Sequence, residues 1–168
     1  MYKGKPDLRF LEIGCFEGRA TRWLLDNILT APSAMIEVID TFEGSPENQP
    51  GAVAFATELD TLRQKFEHNI RPYAQQVTIH QGMSHPVLAM IASKRQAHYD
   101  FMYIDGSHHQ DDVYKDAVLS WPLLKSRAIL AFDDYEWWWL NPETGEKLKR
   151  SSALTVSWRS MRASTLCF

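Results

Sequence analysis

Acidic residues stand at the ends of four apolar runs in this sequence. Glu12 lies at the end of the first run, and Asp40, Asp105 and the pair Asp133–Asp134 follow three others. A carboxylate accepts hydrogen bonds from hydroxyl groups and is a preferred ligand of hard divalent cations. Carboxylates gathered at one place repel one another unless such partners neutralise them. The pattern therefore indicates a site for a hydroxylated ligand, a cation, or both.

Two glycines four residues apart, Gly14 and Gly18, follow Glu12. Glycine adopts positive φ and has no Cβ, so a turn built on it lets backbone N–H groups approach a ligand closely. The spelling E-x-G-x-x-x-G differs from the dinucleotide-binding pattern G-x-G-x-x-G. A ligand-binding loop and a plain strand-to-helix turn are both open at this point.

Two further stretches fit a nucleotide-like ligand. Asp40 follows Gly18 at about the interval, roughly 20 residues, at which an acid binds ribose hydroxyls in nucleotide-binding βαβ units. Gly82-Met83-Ser84 follows a third apolar run, and we expect it beside the base of such a ligand. The alternatives are a turn acid at Asp40 and a helix cap at Ser84.

Apolar runs alternate with helical patterns along the chain. Strands are predicted at 8–13, 34–39, 77–80, 99–104 and 128–132, and helices at 19–29, 57–70, 86–94 and 110–119. Trp23, Leu24 and Ile28 are expected on one face of the first helix. The alternation predicts an α/β protein, a Rossmann-like doubly wound, mostly parallel sheet with helices on both faces. In such sheets ligands lie beyond the carboxyl ends of the strands, where the acidic residues stand.

Composition narrows the class of protein. The chain has 168 residues, 45% hydrophobic and 23% charged, with a net charge of −3, which fits one globular domain and argues against a nucleic-acid binder. No apolar run approaches the ~18 residues of a membrane span. Two cysteines, Cys15 and Cys167, form no disulfide framework and favour a cytoplasmic location. Oligomeric state, a homo-oligomer included, is open.

Three motifs together resemble one family. L-E-I-G-x-x-x-G, Y-I-D-G-S-H and I-L-A-F-D-D-Y, with an acid after the second strand, look like the class I S-adenosylmethionine-dependent methyltransferases. This group includes small-molecule O-methyltransferases and bacterial macrolide-sugar O-methyltransferases with a Mg²⁺ site. The resemblance covers about Leu8 to Tyr135.

The resemblance implies S-adenosyl-L-methionine as methyl donor and a small-molecule hydroxyl as acceptor. It places Asp105, Asp133 and Asp134 as ligands of Mg²⁺ and His108 as general base, with His109 as the competing base. Many relatives use no metal, so a metal-free reaction is also open. The cofactor-binding residues implied are Glu12, Gly14, Cys15, Phe16, Gly18, Asp40, Thr41, Gly82, Met83, Ser84 and Asp105.

Two other readings compete with methyl transfer. One is a catalytically inactive remnant that still binds the cofactor. The other is a nicotinamide-dependent oxidoreductase, which predicts the absent G-x-G-x-x-G turn and leaves Asp105 and Asp133–Asp134 without a role. The run Trp137-Trp138-Trp139 is a candidate wall for the acceptor pocket, because aromatic rings supply rigid apolar area, and an exposed edge of the core in a damaged chain is an equal alternative.

The C-terminal part departs from the family pattern. We place a methyltransferase core at 1–150 and an atypical tail at 151–168, and expect the fold to be incomplete there, because the helix and antiparallel strand pair of the family are missing. A disordered tail and a frameshift both explain this. Permitted codons for Ala153–Phe168, read in a shifted frame, give IDSFLEEYAGEYVVL, an amphipathic helix followed by a strand. The nucleotide sequence of the gene tests the frameshift hypothesis, and codons that forbid this reading would refute it.

Overall fold

The computed structural model describes residues 2–44, 61–133, 138–140, 144, 147–149 and 166–167. The strands are β1 (Arg9–Ile13), β2 (Met35–Asp40), β3 (Val77–Gln81), β4 (Tyr99–Ile104), β5 (Leu124–Phe132), β6 (Trp138–Leu140), β7 (Lys147–Lys149) and β8 (Leu166–Cys167). The helices are α1 (Arg19–Asn27), α2 (Leu62–Ile70), α3 (Ser84–Ala92) and α4 (Gln110–Ser120), with 3₁₀ turns at Arg71–Gln76 and Trp121–Leu123.

A parallel sheet organises the chain. Its strand order is β3-β2-β1-β4-β5-β8, and every pairing in it is parallel. The order reverses between β1 and β4, which makes the carboxyl ends of these two strands the expected ligand site. The predicted α/β doubly wound fold is confirmed. β6 and β7 form a separate antiparallel pair.

Two apolar cores lie on opposite faces of the sheet, because alternate residues of each strand point to opposite sides. On one face Met102, Ile104 and Leu130 pack with residues of α3 and α4. On the other face Phe10 and Val38 pack with residues of α1 and α2. Helices on both faces explain why β1, β2 and β4 read as nearly continuous apolar runs.

β5 is longer than predicted. It begins at Leu124 rather than at residue 128, and Leu124 pairs with Tyr99 across an irregularity in the register. Arg127 has φ of 65° within this stretch. Residues Lys125-Ser126-Arg127 are polar. The pattern of apolar runs therefore did not predict this first part of the strand.

The predicted apolar face of α1 is partly wrong. Leu24 and Leu25 are buried, with Thr21 beside them, whereas 57% of Trp23 is exposed. Successive helical residues are separated by about 100°. The face that docks on the sheet therefore runs through Thr21, Leu24 and Leu25, and Trp23 points away from it.

The C-terminal residues lie largely outside the described part of the chain. Within it, Leu166–Cys167 pairs in parallel with Leu130 and Ala131 of β5. The predicted boundary at residue 150, Asp134 and the side chains of Trp137–Trp139 fall outside the described residues. Across the described ranges, no helix has the length and apolar character needed to cross a membrane.

Candidate functional site

A cavity of about 1070 Å³ opens at the carboxyl ends of β1 to β4. It brings together most of the residues singled out from the sequence. Those that line it are Glu12, Gly14, Cys15, Phe16, Asp40, Thr41, Gly82, Met83, Ser84, Asp105 and His108. The lining residues do not include Gly18 or Asp133.

Gly14 sits where two loops of the rim cross. Its φ is +80°, and a Cβ built on it would lie 2.2 Å from the carbonyl oxygen of Asp105. The Asp105 backbone N–H in turn donates to the Ile13 carbonyl at 2.7 Å. Glycine is therefore required here because the β1 and β4 loops touch through their backbones, independently of any ligand.

Gly18 serves packing rather than lining the cavity. It precedes α1 with φ of +83°, and a Cβ on it would lie 2.8 Å from Cδ2 of Phe66 on α2. Gly18 thus lets α2 approach the start of α1. Its predicted role in cofactor binding stays a prediction.

Asp40 holds the glycine loop against the end of β2. Its Oδ2 accepts from the backbone N–H groups of Cys15 at 2.7 Å and Phe16 at 2.9 Å, and its Oδ1 accepts from that of Phe42 at 2.7 Å. A carboxylate has about four acceptor positions, so these bonds leave roughly one for a ligand hydroxyl. Asp40 can therefore accept from fewer ribose hydroxyls than the sequence predicted. The ribose contact itself remains a prediction.

Glu12 is a buried acid that joins β1 to α1. The hydroxyl of Thr21 donates to its Oε2 at 2.6 Å, while its other oxygen, Oε1, is buried and has no hydrogen-bond partner among the described residues. Burial raises the pKa of Glu12 to about 8, the Thr21 bond opposes this, and the charges of Asp105 and Asp40 add to it. Glu12 is therefore largely protonated and neutral near pH 7.

The two residues after Gly14 differ in environment. Cys15 is 4% exposed, and burial together with the charge of Asp40 raises the pKa of its thiol well above the usual range. The thiol therefore stays protonated and is a poor nucleophile or metal ligand. Phe16 is 37% exposed at the cavity wall and has φ of 48°.

The stretch after β3 closes the side of the cavity near Asp40. The backbone N–H of Gly82 donates to the Asp40 carbonyl at 2.9 Å, and Met83 is 54% exposed. α3 begins at Ser84 with Met83 as the N-cap and no side-chain capping bond. The alternative in which Ser84 caps this helix is therefore wrong. Thr41 lies beside this stretch, since Gln81 Nε2 donates to its carbonyl at 3.2 Å.

The ends of β4 and β5 place two carboxylates around one phenol. The Asp133 backbone N–H donates to the Ile104 carbonyl at 3.0 Å, which aligns the two strand ends. Tyr103 lines the cavity, and its pKa is raised well above the usual range, first by burial and then by the charges of Asp105 and Asp133. The phenol therefore stays protonated and able to donate a hydrogen bond.

Two histidines lie on the loop between β4 and α4. His108 and His109 both line the cavity, and His109 is the N-cap position of α4. Ser107 orders the loop, because its hydroxyl donates to Asp112 at 3.0 Å and accepts from the backbone N–H of His109 at 3.2 Å. Which imidazole would act as base stays a prediction, with His108 the first candidate.

The predicted metal site is only partly within the described chain. The charges of Asp105 and Asp133 both raise the pKa of Tyr103. Asp134 lies outside the described residues. Among the described residues, no three His, Cys, Asp or Glu side chains cluster closely enough to hold a metal ion. Mg²⁺ is often held by one or two carboxylates with water completing its shell, so the donor set formed by Asp105 and Asp133 has the right chemistry.

Sequence reasoning missed three residues of the site. Tyr103 lies on β4, two positions before Asp105, which directly follows the strand, and the alternation of extended backbone would have placed both on one face. Trp23 lines the cavity from α1, but the pattern assigned it to the core. No signal pointed to Thr21, because its bond to Glu12 depends on how α1 docks.

A family model described as a methyltransferase domain matches residues 11–135. None of the curated proteins matches the chain. Similar solved structures include the O-methyltransferase TomG from Streptomyces achromogenes in complex with SAM, with a TM-score of 0.58 and 18% identity over 76% of this chain and 48% of that one. The O-methyltransferase from Bacillus cereus in complex with SAH gives a TM-score of 0.56 and 17% identity over 76% and 49%.

A third similar structure is MycE methyltransferase from the mycinamycin biosynthetic pathway, in complex with Mg and SAH. Its TM-score is 0.51, with 17% identity over 80% of this chain and 29% of that one. At these identities the likeness concerns the fold. The chain spans about half the length of the first two structures.

Proposed function

Because the chain belongs to the methyltransferase-domain family, we propose that it transfers a methyl group from S-adenosyl-L-methionine to a hydroxyl of a small molecule. The observation that carries the proposal is the single cavity that collects the glycine loop, Asp40, Asp105 and His108 at the switch point of the sheet. TomG and the Bacillus cereus enzyme, similar in fold, hold SAM and SAH.

The donor would occupy the part of the cavity between the β1 loop and the end of β3. Asp40 would accept from a ribose hydroxyl through its remaining acceptor position, while its other bonds keep the Cys15 and Phe16 amides in place. Met83 and Ser84 would lie beside the adenine. Glu12, buried and neutral, would contribute a hydrogen-bonding group rather than a full charge.

The acceptor would lie toward the end of β4. Methyl transfer is an in-line displacement, so the main contribution of the protein is to align the acceptor oxygen with the donor methyl group. His108, or His109 beside it, would take the proton of the hydroxyl. Because imidazole titrates near neutral pH, it suits this role.

Metal assistance is part of the proposal. Asp105 and Asp133, with Asp134, would hold Mg²⁺, which when bound lowers the pKa of a hydroxyl that it contacts. The similar structure of MycE contains Mg with SAH. Burial and the charges of Asp105 and Asp133 also raise the pKa of Tyr103, so its protonated phenol would be a hydrogen-bond donor near the metal.

Isothermal titration calorimetry with S-adenosylmethionine, with and without MgCl₂, tests the proposal. We expect donor binding in both conditions and a change in the heat on adding Mg²⁺ that disappears in Asp133→Asn. Lys115→Ala, an exposed residue of α4, is the control and should behave as the unmodified chain does.

Three outcomes separate the readings. Binding of NAD without binding of S-adenosylmethionine would refute methyl transfer in favour of an oxidoreductase. Donor binding with no methylated product from a panel of hydroxylated acceptors would favour the inactive remnant. Product formation that does not depend on Mg²⁺ would refute the metal assistance but not the methyl transfer.

A further inference from the structure

A group of charged side chains lies on the α3 side of the sheet, outside the cavity. Glu37 of β2 is 8% exposed and points to the same face as Ile39, which packs with residues of α3. Its Oε1 accepts from Nη1 of Arg95, and its Oε2 accepts from Nη2 of Arg95 at 3.4 Å and from Nε2 of His80 at 2.7 Å. None of these three is among the described residues that line the cavity. We call them the Glu37 cluster.

The carboxylate of Glu37 is ionised in the folded chain. Burial alone would raise its pKa, but the hydrogen bonds from Arg95 and His80 outweigh burial and hold the pKa below its usual value. An ionised carboxylate only accepts hydrogen bonds, so Nε2 of His80 carries the proton in its bond to Glu37. The bonds of the Glu37 cluster are therefore charge-assisted, which makes them stronger than bonds between neutral groups.

The Glu37 cluster joins β2 to both ends of one segment, residues 80–95. His80 lies near the end of β3, opposite Ile39 in the parallel register. Arg95 lies just beyond α3, and its backbone N–H donates to the Ile91 carbonyl at 2.9 Å. Glu37 therefore contacts this segment both where it leaves β3 and where it leaves α3.

The part of the segment between these two attachments forms a wall of the cavity. Residues 82–85 line the cavity, and α3 begins at Ser84. Leu88 and Ile91 bury one face of α3 in the core, but apolar packing is non-directional. The bonds of the Glu37 cluster add a directional restraint, which fixes how far α3 and the wall at its start lie from β2.

We propose that Glu37 is a positioning residue for the methyl donor, because its bonds to His80 and Arg95 hold residues 82–85 in the place that the donor needs. This inference rests on the proposed methyl transfer and adds to it a residue that does not touch the ligand. The Gly82 N–H also joins this wall to the Asp40 carbonyl at 2.9 Å. Breaking the Glu37 cluster would loosen the α3 end of the wall while that bond remains, so donor affinity falls without loss of the fold.

Asp100 offers a matched control at the opposite edge of the sheet. Its Oδ2 accepts from the backbone N–H of Arg9 at 2.9 Å and from Nζ of Lys125 at 2.7 Å, and its side chain is 20% exposed. These residues lie at the amino ends of β1, β4 and β5, whereas the cavity opens at the carboxyl ends. Removing the charge of either Glu37 or Asp100 should cost stability, but only Glu37 is connected to the cavity wall.

Isothermal titration calorimetry with SAH on Glu37→Gln and Asp100→Asn tests the inference. Each substitution keeps the shape of the side chain and removes its charge. We expect the dissociation constant to rise about fivefold in Glu37→Gln and to stay unchanged in Asp100→Asn, at a temperature at which circular dichroism shows both variants to be folded.

Substitution of Arg95 provides a second test that does not leave a changed side chain inside the sheet. The Arg95 side chain is 36% exposed, so Arg95→Gln should fold and should weaken SAH binding as Glu37→Gln does. Arg95→Lys keeps a cation beside Glu37 and should restore part of the affinity. Equal losses in Arg95→Gln and Arg95→Lys would show that the charge of this residue does not matter.

Methyl NMR of Met83 gives a readout without any ligand. Met83 lines the cavity and is 54% exposed, and its resonance can be assigned with isotope-labelled methionine and Met83→Leu. We expect this resonance to shift in Glu37→Gln and in Arg95→Gln but not in Asp100→Asn. A role of Glu37 in stability alone would leave the resonance of the folded chain where it is.

The outcomes distinguish the inference from the proposed function. Failure of SAH to bind to the unmodified chain would overturn the proposed function. Unchanged SAH affinity in Glu37→Gln, or equal losses of affinity in Glu37→Gln and Asp100→Asn, would overturn the positioning role while leaving the proposed function intact. An unshifted Met83 resonance in Glu37→Gln would also overturn the positioning role, whatever SAH does.

Discussion

The two sides of the cavity rim use the same residue type differently. At the ends of β1 and β2, Glu12 and Asp40 are engaged by Thr21 and by backbone N–H groups, so these acids hold the protein together. At the ends of β4 and β5, Asp105 and Asp133 face the Tyr103 phenol beside the histidine loop. The difference teaches that the hydrogen-bond donors around a carboxylate, and not its position at a strand end, decide whether it fastens loops and helices to the sheet, as Glu12 and Asp40 do.

The largest loss of stability is expected at Gly14, where the loop after β1 meets the loop after β4. Gly14→Ala would place a methyl group 2.2 Å from the Asp105 carbonyl, and the loops must separate to admit it. We expect the free energy of unfolding to fall by about 4 kcal/mol or more, measured by urea denaturation.

Gly4→Ala is the matched control for this substitution. Gly4 also has positive φ, +71°, but its Cβ would meet only Thr30 Oγ1 at 3.6 Å. The cost should be about 1 kcal/mol, the conformational penalty alone. Equal losses in the two variants would show that the contact between the loops is unimportant.

The next largest effect is a pH-dependent change in stability, and it tests whether the buried Glu12 is protonated in the folded chain. The pKa of Glu12 rises from 4.5 to about 8 on folding, so between these values the folded chain binds more protons and its unfolding free energy falls as pH rises. Glu12→Gln removes this titration. We expect the variant to gain stability relative to the unmodified chain from pH 5 to pH 8, by on the order of 3 kcal/mol at the upper end.

Urea denaturation at a series of pH values measures the Glu12→Gln gain. Glu17→Gln, a partly exposed acid of the same loop that pairs with Lys65 at 3.5 Å, provides the control and should show no comparable trend. A constant difference between Glu12→Gln and the unmodified chain across the range would mean that Glu12 is ionised in the folded protein.

A somewhat smaller loss should follow from removing the Asp40 bonds. Asp40→Ala leaves the N–H groups of Cys15, Phe16 and Phe42 without their acceptor, and water can replace part of it. We expect a loss of about 2 kcal/mol in unfolding free energy, together with weaker SAH binding. Asp111→Ala, in the first turn of α4, should cost only about 0.5 kcal/mol, and a similar cost at Asp40 would contradict its supporting role.

The smallest effect is expected at Ser84. Its hydroxyl makes no capping bond to α3, so Ser84→Ala should change the thermal midpoint by less than about 1 °C. A loss of about 1 kcal/mol, typical of a removed N-cap, would show that Ser84 caps the helix in solution. Reduced SAH affinity without a stability change would support its place beside the adenine.

The fold was predictable because its signals are local and repeated. The apolar runs at residues 8–13 and 34–39 contribute side chains to both cores, and the alternation with helices implies parallel pairing. The start of β5 was not predictable, because Lys125–Arg127 are polar and lie where the register with β4 is irregular. Trp23 was misplaced because a short helix with three adjacent large apolar residues, Trp23, Leu24 and Leu25, allows more than one apolar face.

The positions of the site residues were predictable, but their partners were not. Strand-end acids must meet at one edge of a parallel sheet, so Glu12, Asp40 and Asp105 could be placed together from the sequence. The packing of Gly18 against Phe66 depends on α2, 48 positions later in the chain. The hydrogen bond from Thr21 to Glu12 likewise depends on how α1 docks on the sheet. The spacing of these two residues in the sequence does not predict that docking.

The backbone contact between Gly14 and the Asp105 carbonyl has a kinetic consequence. A ligand that orders the glycine loop should also restrict the start of the loop carrying the histidines, because Gly14 packs against the backbone of Asp105. If the proposed methyl transfer is right, a bound donor should therefore slow the escape of an acceptor analogue, and the two should associate in a preferred order, donor first.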